Sequence, residues 1–353
     1  TADSQDSFAV GGIVQSAIGG YAIGKSSQVY SQYGLALGRS SLVSAATDGT
    51  AVGTSSVAGA NSAVAFTKSR ASGADSLAAA IATNSSSYGA TGASSIAMGY
   101  HAKATANYAF AQGYEAQALG NSDVALGFQA QANQGVALGY KGRATASKAF
   151  GVNNNTDGGA TGNSSAAIGD RCLASGTSSV AIGFACTANA LGAIALGRTP
   201  HVNGIRKLVY ANTSLSGNYD GSSQTGIQVL SAATTDATAT ALAAHGTAST
   251  DNQVILPNNS AYAFHGTIVA RQQASGGTAC AAWKVEGLIR REGSAGTTVL
   301  VNSATTVLDN TPSWGMALSA DTTNGGMAIT VTGAASTNIR WVATIHTSEV
   351  TYA

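Results

Sequence analysis

The sequence predicts an all-β protein: a trimeric parallel β-roll, or solenoid, forming a shaft, followed by an antiparallel β-sandwich or jelly-roll tip. Three observations predict it. An Ala-apolar-Gly unit returns at about fourteen-residue intervals from Ala22 to Gly197. A weaker echo of Ala falls seven residues after many of these units. From Asn252 onward, short runs alternate apolar with polar or small residues and are separated by turn signals. These observations divide the chain into a roll over 1–199, a cap or transition segment over 200–251 and a sandwich over 252–353.

Twelve copies of the unit begin at Ala22, Ala36, Ala51, Ala65, Ala97, Ala111, Ala125, Ala137, Ala149, Ala167, Ala181 and Ala195, and Ala79 falls where a copy is missing. A repeat that stacks places the same kind of atom at the same place in each turn. The middle column reads Ile23, Leu37, Val52, Phe66, Met98, Gln112, Leu126, Leu138, Phe150, Ile168, Ile182 and Leu196, so only Gln112 is polar. Bulky residues such as Tyr21, Leu35, Ile96 and Val180 often precede the Ala, and Gly follows the middle residue in every copy except Thr67. Period-2 alternation puts the bulky residues on one face and Ala on the other, while Gly accepts a tight corner. The echo at Ala58, Ala104, Ala118, Ala132, Ala144, Ala174 and Ala188 gives each coil a second short strand.

A fourteen-residue coil encloses little space, so its interior is expected to hold Ala, Ser and Gly. The bulky face then needs another cover. Identical faces of neighbouring chains around a symmetry axis provide one, so a homotrimer is expected with Ile23, Leu37, Val52, Phe66, Met98, Leu126, Leu138, Phe150, Ile168, Ile182 and Leu196 in its shared core. About fourteen turns stacked about 4.8 Å apart would extend on the order of 65 Å.

Ser94-Ser95-Ile96-Ala97-Met98-Gly99 and Ser179-Val180-Ala181-Ile182-Gly183 resemble the repeats of YadA-like head domains in trimeric autotransporter adhesins. The resemblance covers about residues 8–199 and implies a left-handed parallel β-roll, three chains side by side, used in attachment. No Asp-Ala-Val-Asn-Val-Ala-Gln-Leu-type neck follows Gly197, and no heptad stalk appears. Residues 252–353 resemble the distal domains of bacteriophage tail fibres, through Asn252-Gln253-Val254-Ile255-Leu256-Pro257 and Asp321-Thr322-Thr323-Asn324-Gly325-Gly326. Together the resemblances imply attachment of a virion tail to a host-surface glycan or outer-membrane receptor, with other virion tail proteins as partners. The alternatives are a bacterial surface adhesin, which would carry a neck, a stalk and a C-terminal membrane anchor, and a phage glycan depolymerase.

Composition narrows the field. Charged residues are 9% of the chain, against the usual quarter or so, with Gly at 44 and Pro at 3 of 353 residues. Such a composition with random order would suggest disorder, but ordered columns exclude that. The net charge is +1 with Lys and Arg scattered, so neither nucleic acid nor a lipid surface is indicated. The aliphatic stretch around Leu77–Ala82 is far short of the roughly twenty residues of a membrane helix, and membrane insertion is not expected. Thr1–Val10 lacks a secretion-signal pattern, so any signal is expected to be missing or already removed.

Cys172 and Cys186 lie one repeat apart in a column of small residues and read as stacked buried thiols, although coil spacing would allow a bridge. Cys280 stands apart, and no metal-ligand spacing appears, so neither metal nor cofactor is expected. Gly19-Gly20-Tyr21-Ala22-Ile23-Gly24-Lys25-Ser26 matches the phosphate-loop pattern letter for letter, but no helix is expected after it and Gly38-Arg39-Ser40 repeats the frame, so repeat grammar explains the match.

Pro200 and Gly204 to Tyr210 break the columns, and residues 211–252 fix no one structure; Ala237–Ala244 reads as a short helix or a strand. In the sandwich, turns are expected at Gly276-Gly277, Gly293–Gly296, Asp309–Pro312 and Asn324–Gly326. Trp283, Trp314 and Trp341 share strand parity with Val285, Met316 and Ile339 and read as core. Glycan hydrolysis would need two acids facing one cleft. Glu286 reads as solvated, Asp309 and Asp321 as turn-forming, and His245, His265 and His346 have no recognisable partners, so no catalytic residue is expected and the chain is not expected to be an enzyme. Receptor contacts are expected on polar loops, at Asn258, Asn259, Arg290, Arg291, Asn310, Asp321 and Asn324.

Overall fold

The spacing of small residues becomes a stack of coils in the computed structural model, which describes residues 1–15, 18–44, 47–83, 85–155, 158–215, 221–273 and 278–352. The expected turn at Gly276-Gly277 lies outside the described residues. The protein is all-β, with a parallel solenoid of about 14 turns and an antiparallel region towards the C-terminus. It divides into two compact units, Thr1–Ile168 and Gly169–Ala353.

In the first unit, each coil contributes a three- or four-residue strand to one parallel ladder and a two-residue strand to another. The first ladder keeps one register: Ala22 lies beside Ala36, Ala36 beside Ala51, and Ala51 beside Ala65. The second runs Val14, Val29, Val43, Ala58 and Ala71, then Ala90, Ala104, Ala118, Ala132, Ala144 and Ala160. Both columns point inward and are fully buried. The Ala echo is therefore the second ladder.

Corners explain the Gly column. Gly24 has φ 127°, and a Cβ there would come within 2.6 Å of the Gly38 carbonyl oxygen on the next coil. Two residues on, Ser26, Ser40 and Ser55 take left-handed geometry, and the buried Ser27, Ser41 and Ser56 donate their hydroxyls to the carbonyls of Gly24, Gly38 and Gly53. These local bonds satisfy corner carbonyls that have no strand partner. A strand, Gln28–Val29, follows the phosphate-loop look-alike, so no helix dipole faces a phosphate there.

Two column assignments need correcting. The missing copy is Leu77-Ala78-Ala79, with Ala78 rather than Ala79 beside Ala65 and Ala97. Phe150 lies beside Val136, Gly151 beside Ala137 and Val152 beside Leu138, so Val152 and not Phe150 fills the middle column. The Ala149-Phe150-Gly151 triplet is a copy of the letters two residues out of phase. Gly151 has no Cβ and fits the inward column as well as Ala does, and backbone pairing sets the phase.

Where one coil is two residues short, between Ala125 and Ala137, a buried acid repairs the ladder. Asp123 accepts hydrogen bonds from the backbone N–H groups of Gly120, Gln134 and Gly135 at 2.6, 3.0 and 2.8 Å. In the long coil that follows, buried Asn154 does related work, accepting from Arg143 N–H and donating to Ala167 O.

The second unit opens with more coils. Leu173–Ala174, Thr187–Ala188 and His201–Val202 stack in one ladder; Ile194–Arg198 pairs with Val180–Phe184 and with Lys207–Ala211 in the other. The columns do not break at Gly197, because Val202 and Val209 occupy positions held by Ala one coil earlier. Cys172 and Cys186 are buried thiols stacked on adjacent coils, and their mutual hydrogen bond holds the Cys172 thiol below its ordinary pKa against the opposing effect of burial.

Lys207–Ala211 is parallel to Ile194–Arg198 on one edge and antiparallel to Ser223–Thr234 on the other. From there an antiparallel sheet continues through Ile339–Thr351, Ser260–Gln272, Cys280–Arg291 and Val299–Asp309. Residues of the expected transition segment are thus strands of this sheet, and Ala237–Ala244 holds the short strand Thr240–Ala241. A second, four-stranded sheet joins Thr240–Ala241, Val254–Ile255, Gly315–Asp321 and Gly326–Thr332. The core contains Tyr262, Phe264, Ile268, Trp283 and Trp341 from the large sheet, Met327, Ile329 and Val331 from the small one, and Leu242 just after its strand Thr240–Ala241. All three Trp side chains are buried there, as their parity predicts; Trp341 stacks on Trp283 and donates Nε1–H to Thr234 at 2.9 Å. Among the described residues, no helix is long and apolar enough to cross a membrane.

Replacing Asp123 with Ala orphans three N–H groups in the shortened coil. Loss of about 2–3 kcal/mol of unfolding free energy is expected from a charge-assisted, part-buried network, read as a lower denaturation midpoint than that of wild type.

Candidate binding cavity

Strand pairing sorts the expected contact residues. Ser260 lies opposite Arg291, so Asn258 and Asn259, just before one strand, sit beside Arg290 and Arg291 at the end of the next. Asn259 donates its N–H to Glu292 O and accepts at its carbonyl from Tyr352 N–H, while Arg290 pairs with Glu292 on the surface. Asp321 and Asn324 form a turn that Arg291 reaches through the Gly325 carbonyl. These six residues share one end of the sheets. Asn310 does not: it follows Asp309, paired with Ala282 at the opposite end, and its amide is spent on the backbone N–H and carbonyl of Trp314.

A cavity of about 360 Å³ lies at the shared end. His201, Asn203 and Lys207 line one side, Gln224 and Tyr262 rise from the large sheet, Thr250 and Ile255 to Pro257 cover it, and Arg291 completes the wall. Of the expected contacts, only Arg291 lines it.

Its base is a buried ion pair. Lys207 Nζ lies 2.5 Å from Glu349 Oε1, and neither side chain is more than 9% exposed. Thr347 donates its hydroxyl to the same oxygen, Gln224 donates to Oε2 at 2.8 Å, and the ammonium sits 5.0 Å from the Tyr262 ring centroid. Burial, and then the neighbouring carboxylate, push the Tyr262 phenol well above its usual pKa. Gln224 also bonds both backbone groups of His201, and Gln228 donates to Ile205 O, so the last coil is stitched to the antiparallel sheet. Lys207 and Glu349 therefore neutralise each other within the wall.

Arg291 is held differently. Its Nη1 donates to the carbonyls of Leu256 and Gly325, its Nε is buried without a partner, and no carboxylate lies within ion-pair distance among the described residues. Burial raises the Asp321 carboxyl, but bonds from Asn324, Thr323 and Gln253 outweigh it and bring its pKa below the ordinary value. That acid holds the turn rather than the guanidinium.

The acids weighed for hydrolysis are otherwise engaged. Glu286 pairs with Lys284 on the exposed face, and Asp309 accepts from Thr311 in a turn. His265 and His346 stack on each other at 5.1 Å. Among the described residues, no group of three or more His, Cys, Asp or Glu could hold a metal ion.

One surface feature in the first unit escaped the column reading. Tyr100, Tyr114, Phe128 and Tyr140, each just after a corner Gly, stack at 5.1, 4.9 and 5.3 Å with planes within 8°. The signal was present as aromatics at the repeat spacing. The rings spend their faces on one another and present edges to solvent, so they stiffen the corner and offer a sugar ring little flat surface.

The repeat geometry marks a class of parallel β-roll built on Ala-centred coils. Within it, residues 90–116, 108–130 and 174–198 match the YadA head domain repeat. No curated protein matches the chain. Among solved structures, the Acinetobacter phage vB_ApiP_P1 tailspike protein aligns over 94% of this chain and 69% of its own at 8% identity, with a TM-score of 0.17, a likeness too slight to bear on fold or function.

Replacing Glu349 with Ala strands the Lys207 ammonium in the wall and is expected to cost about 3–5 kcal/mol, measured by denaturant unfolding. Because Asp321 has a folded pKa below its unfolded value of about 4, its ionised form stabilises the fold at neutral pH. That contribution is expected to fade as pH falls from about 4 through the folded value, with amide exchange at residues 321–326 rising there in wild type and less in Asp321→Asn.

Proposed function

We propose that this chain is part of a homotrimeric attachment fibre of a bacteriophage tail, with the β-roll as shaft and the antiparallel sheets as the part that meets a host-surface receptor. The observation that carries the reading is the contrast between two faces of one strand. The inward Ala columns are fully buried, whereas Leu37, Phe66 and Ile182 on the outward face are 40%, 42% and 39% exposed in the single chain. A row of such residues repeated coil after coil is costly to leave in water, at about 25 cal/mol per Å² of apolar surface. Three copies of the same row cover one another.

The match to YadA head repeats supports the trimeric, attachment-related part of this reading. The resemblance of residues 252–353 to distal tail-fibre domains supports the phage part. Three weak sites on one rigid body bind a repetitive surface with an effective concentration that none has alone. A second reading, a bacterial surface adhesin, is favoured by the same repeat match, since the family named in it is an adhesin family. Both readings need the shared apolar face.

Sedimentation at micromolar concentration tests that need. A trimer is expected, with Leu126→Asp dissociating or precipitating it. A soluble, well-folded single chain would overturn the proposal. Adsorption of purified protein to candidate host cells then tests the attachment reading by a separate measurement.

A further inference from the structure

We propose that the cavity walled by Arg291 binds the carboxylate of an acidic sugar, such as a uronic or sialic acid residue of a surface glycan. The inference deepens the attachment reading and rests on it for its biological sense, although its chemistry stands on the cavity alone.

Charge comes first. Lys207 and Glu349 cancel within the wall, and Gln224 and Thr347 occupy the remaining carboxylate sites. That leaves Arg291 as the uncompensated formal charge lining the space, with no acid in ion-pair reach among the described residues. A guanidinium stays protonated whatever its surroundings, so it can only be balanced by an anion or by solvent.

Geometry narrows the anion. Nη1 is committed to the Leu256 and Gly325 carbonyls, which fix the plane of the group. Among the described residues Nη2 has no hydrogen-bond partner, and Nε–H is buried in the wall without an acceptor. An unpaired guanidinium donor is an uncompensated cost, and a carboxylate is the charge-assisted acceptor that pairs with it most strongly; with Nε closed off in the wall, Nη2 is the donor that would meet it.

The rest of the lining favours a sugar over a bare ion. Asn203, Thr250 and Thr351 bring hydroxyl and amide groups, while Ile255, Pro257 and Tyr262 bring apolar surface. A pyranose has both characters, hydroxyls around the ring and C–H groups on its faces. A cavity of about 360 Å³ is of the size class that takes a small ligand.

The test titrates the intact protein with glucuronate, glucuronate methyl ester, N-acetylneuraminate, glucose and sulfate, by calorimetry and ligand-observed NMR. At least one acid sugar is expected to bind saturably, and at least tenfold more tightly than the ester, glucose or sulfate. Arg291→Lys keeps the charge but loses the planar donor that the Leu256 and Gly325 carbonyls hold in place, and is expected to weaken binding at least tenfold. Because Arg291 also ties two loops, Thr250→Trp serves as a second variant: it places bulk at an exposed rim position, and is expected to abolish binding with an unchanged melting temperature. Equal binding of acid and ester, or no saturable binding, would overturn the proposal, as would undiminished binding by a folded Thr250→Trp protein. Sulfate binding as tight as the sugar acids would reduce the cavity to a free-anion site and overturn the sugar assignment. A protein that sediments as a trimer and adsorbs to cells yet ignores acid sugars sinks this inference while leaving the attachment reading intact.

Discussion

The narrowness of a fourteen-residue coil constrains everything else in this protein. Two short strands and two corners enclose room for a column of Ala on one side, Ala or Val on the other, and Ser at the turns. Among the described residues of the first unit, Ile81 is the one apolar side chain of Leu size that is fully buried. The usual route to stability, a broad apolar interior, is closed to the roll, and backbone pairing between coils carries the structure instead. Each coil gains only from its neighbours, as in other stacked repeats. At two of the irregularities in length a buried side chain closes the gap, a carboxylate at Asp123 where the coils shorten and an amide at Asn154 where they lengthen.

That constraint also shapes the second unit. A parallel ladder ends in an open edge, and an open edge invites unwanted pairing. Lys207–Ala211 removes the problem by giving its far edge to an antiparallel neighbour, so the coil backbone runs into a sheet with a core of ordinary size. The change of architecture brings a Lys from the last coil against Glu349 near the far end of the chain. Their pairing, with Gln224 and Gln228 on either side, stitches the coils to the antiparallel sheet and forms the base of the cavity.

Much of the roll was legible because one-residue columns have one-residue consequences. The Ala, Gly and echo positions each follow from a steric rule that the letters obey. Legibility failed where letters and backbone disagreed. Ala149-Phe150-Gly151 has the right letters in the wrong phase, and Val202 and Val209 continue columns that the eye ended at Gly197. In the antiparallel region, strand parity placed Trp283, Trp314 and Trp341 in the core, since alternation is local. It could not sort seven polar loop residues by end, and it placed Asn310 with residues that lie on the other side of the sheets.

The amino-acid order by itself determined the coil, its period, its inward and outward faces and the alternation of the later strands, because each depends on residues a few positions apart. Tertiary structure alone decided which distant groups share a wall. Lys207 meets Glu349, and Arg291 has no acid in ion-pair reach among the described residues, through strand order and register across more than a hundred residues of chain. No local pattern encodes such a meeting, since it arises only when long strands pair and carry their ends to the same place.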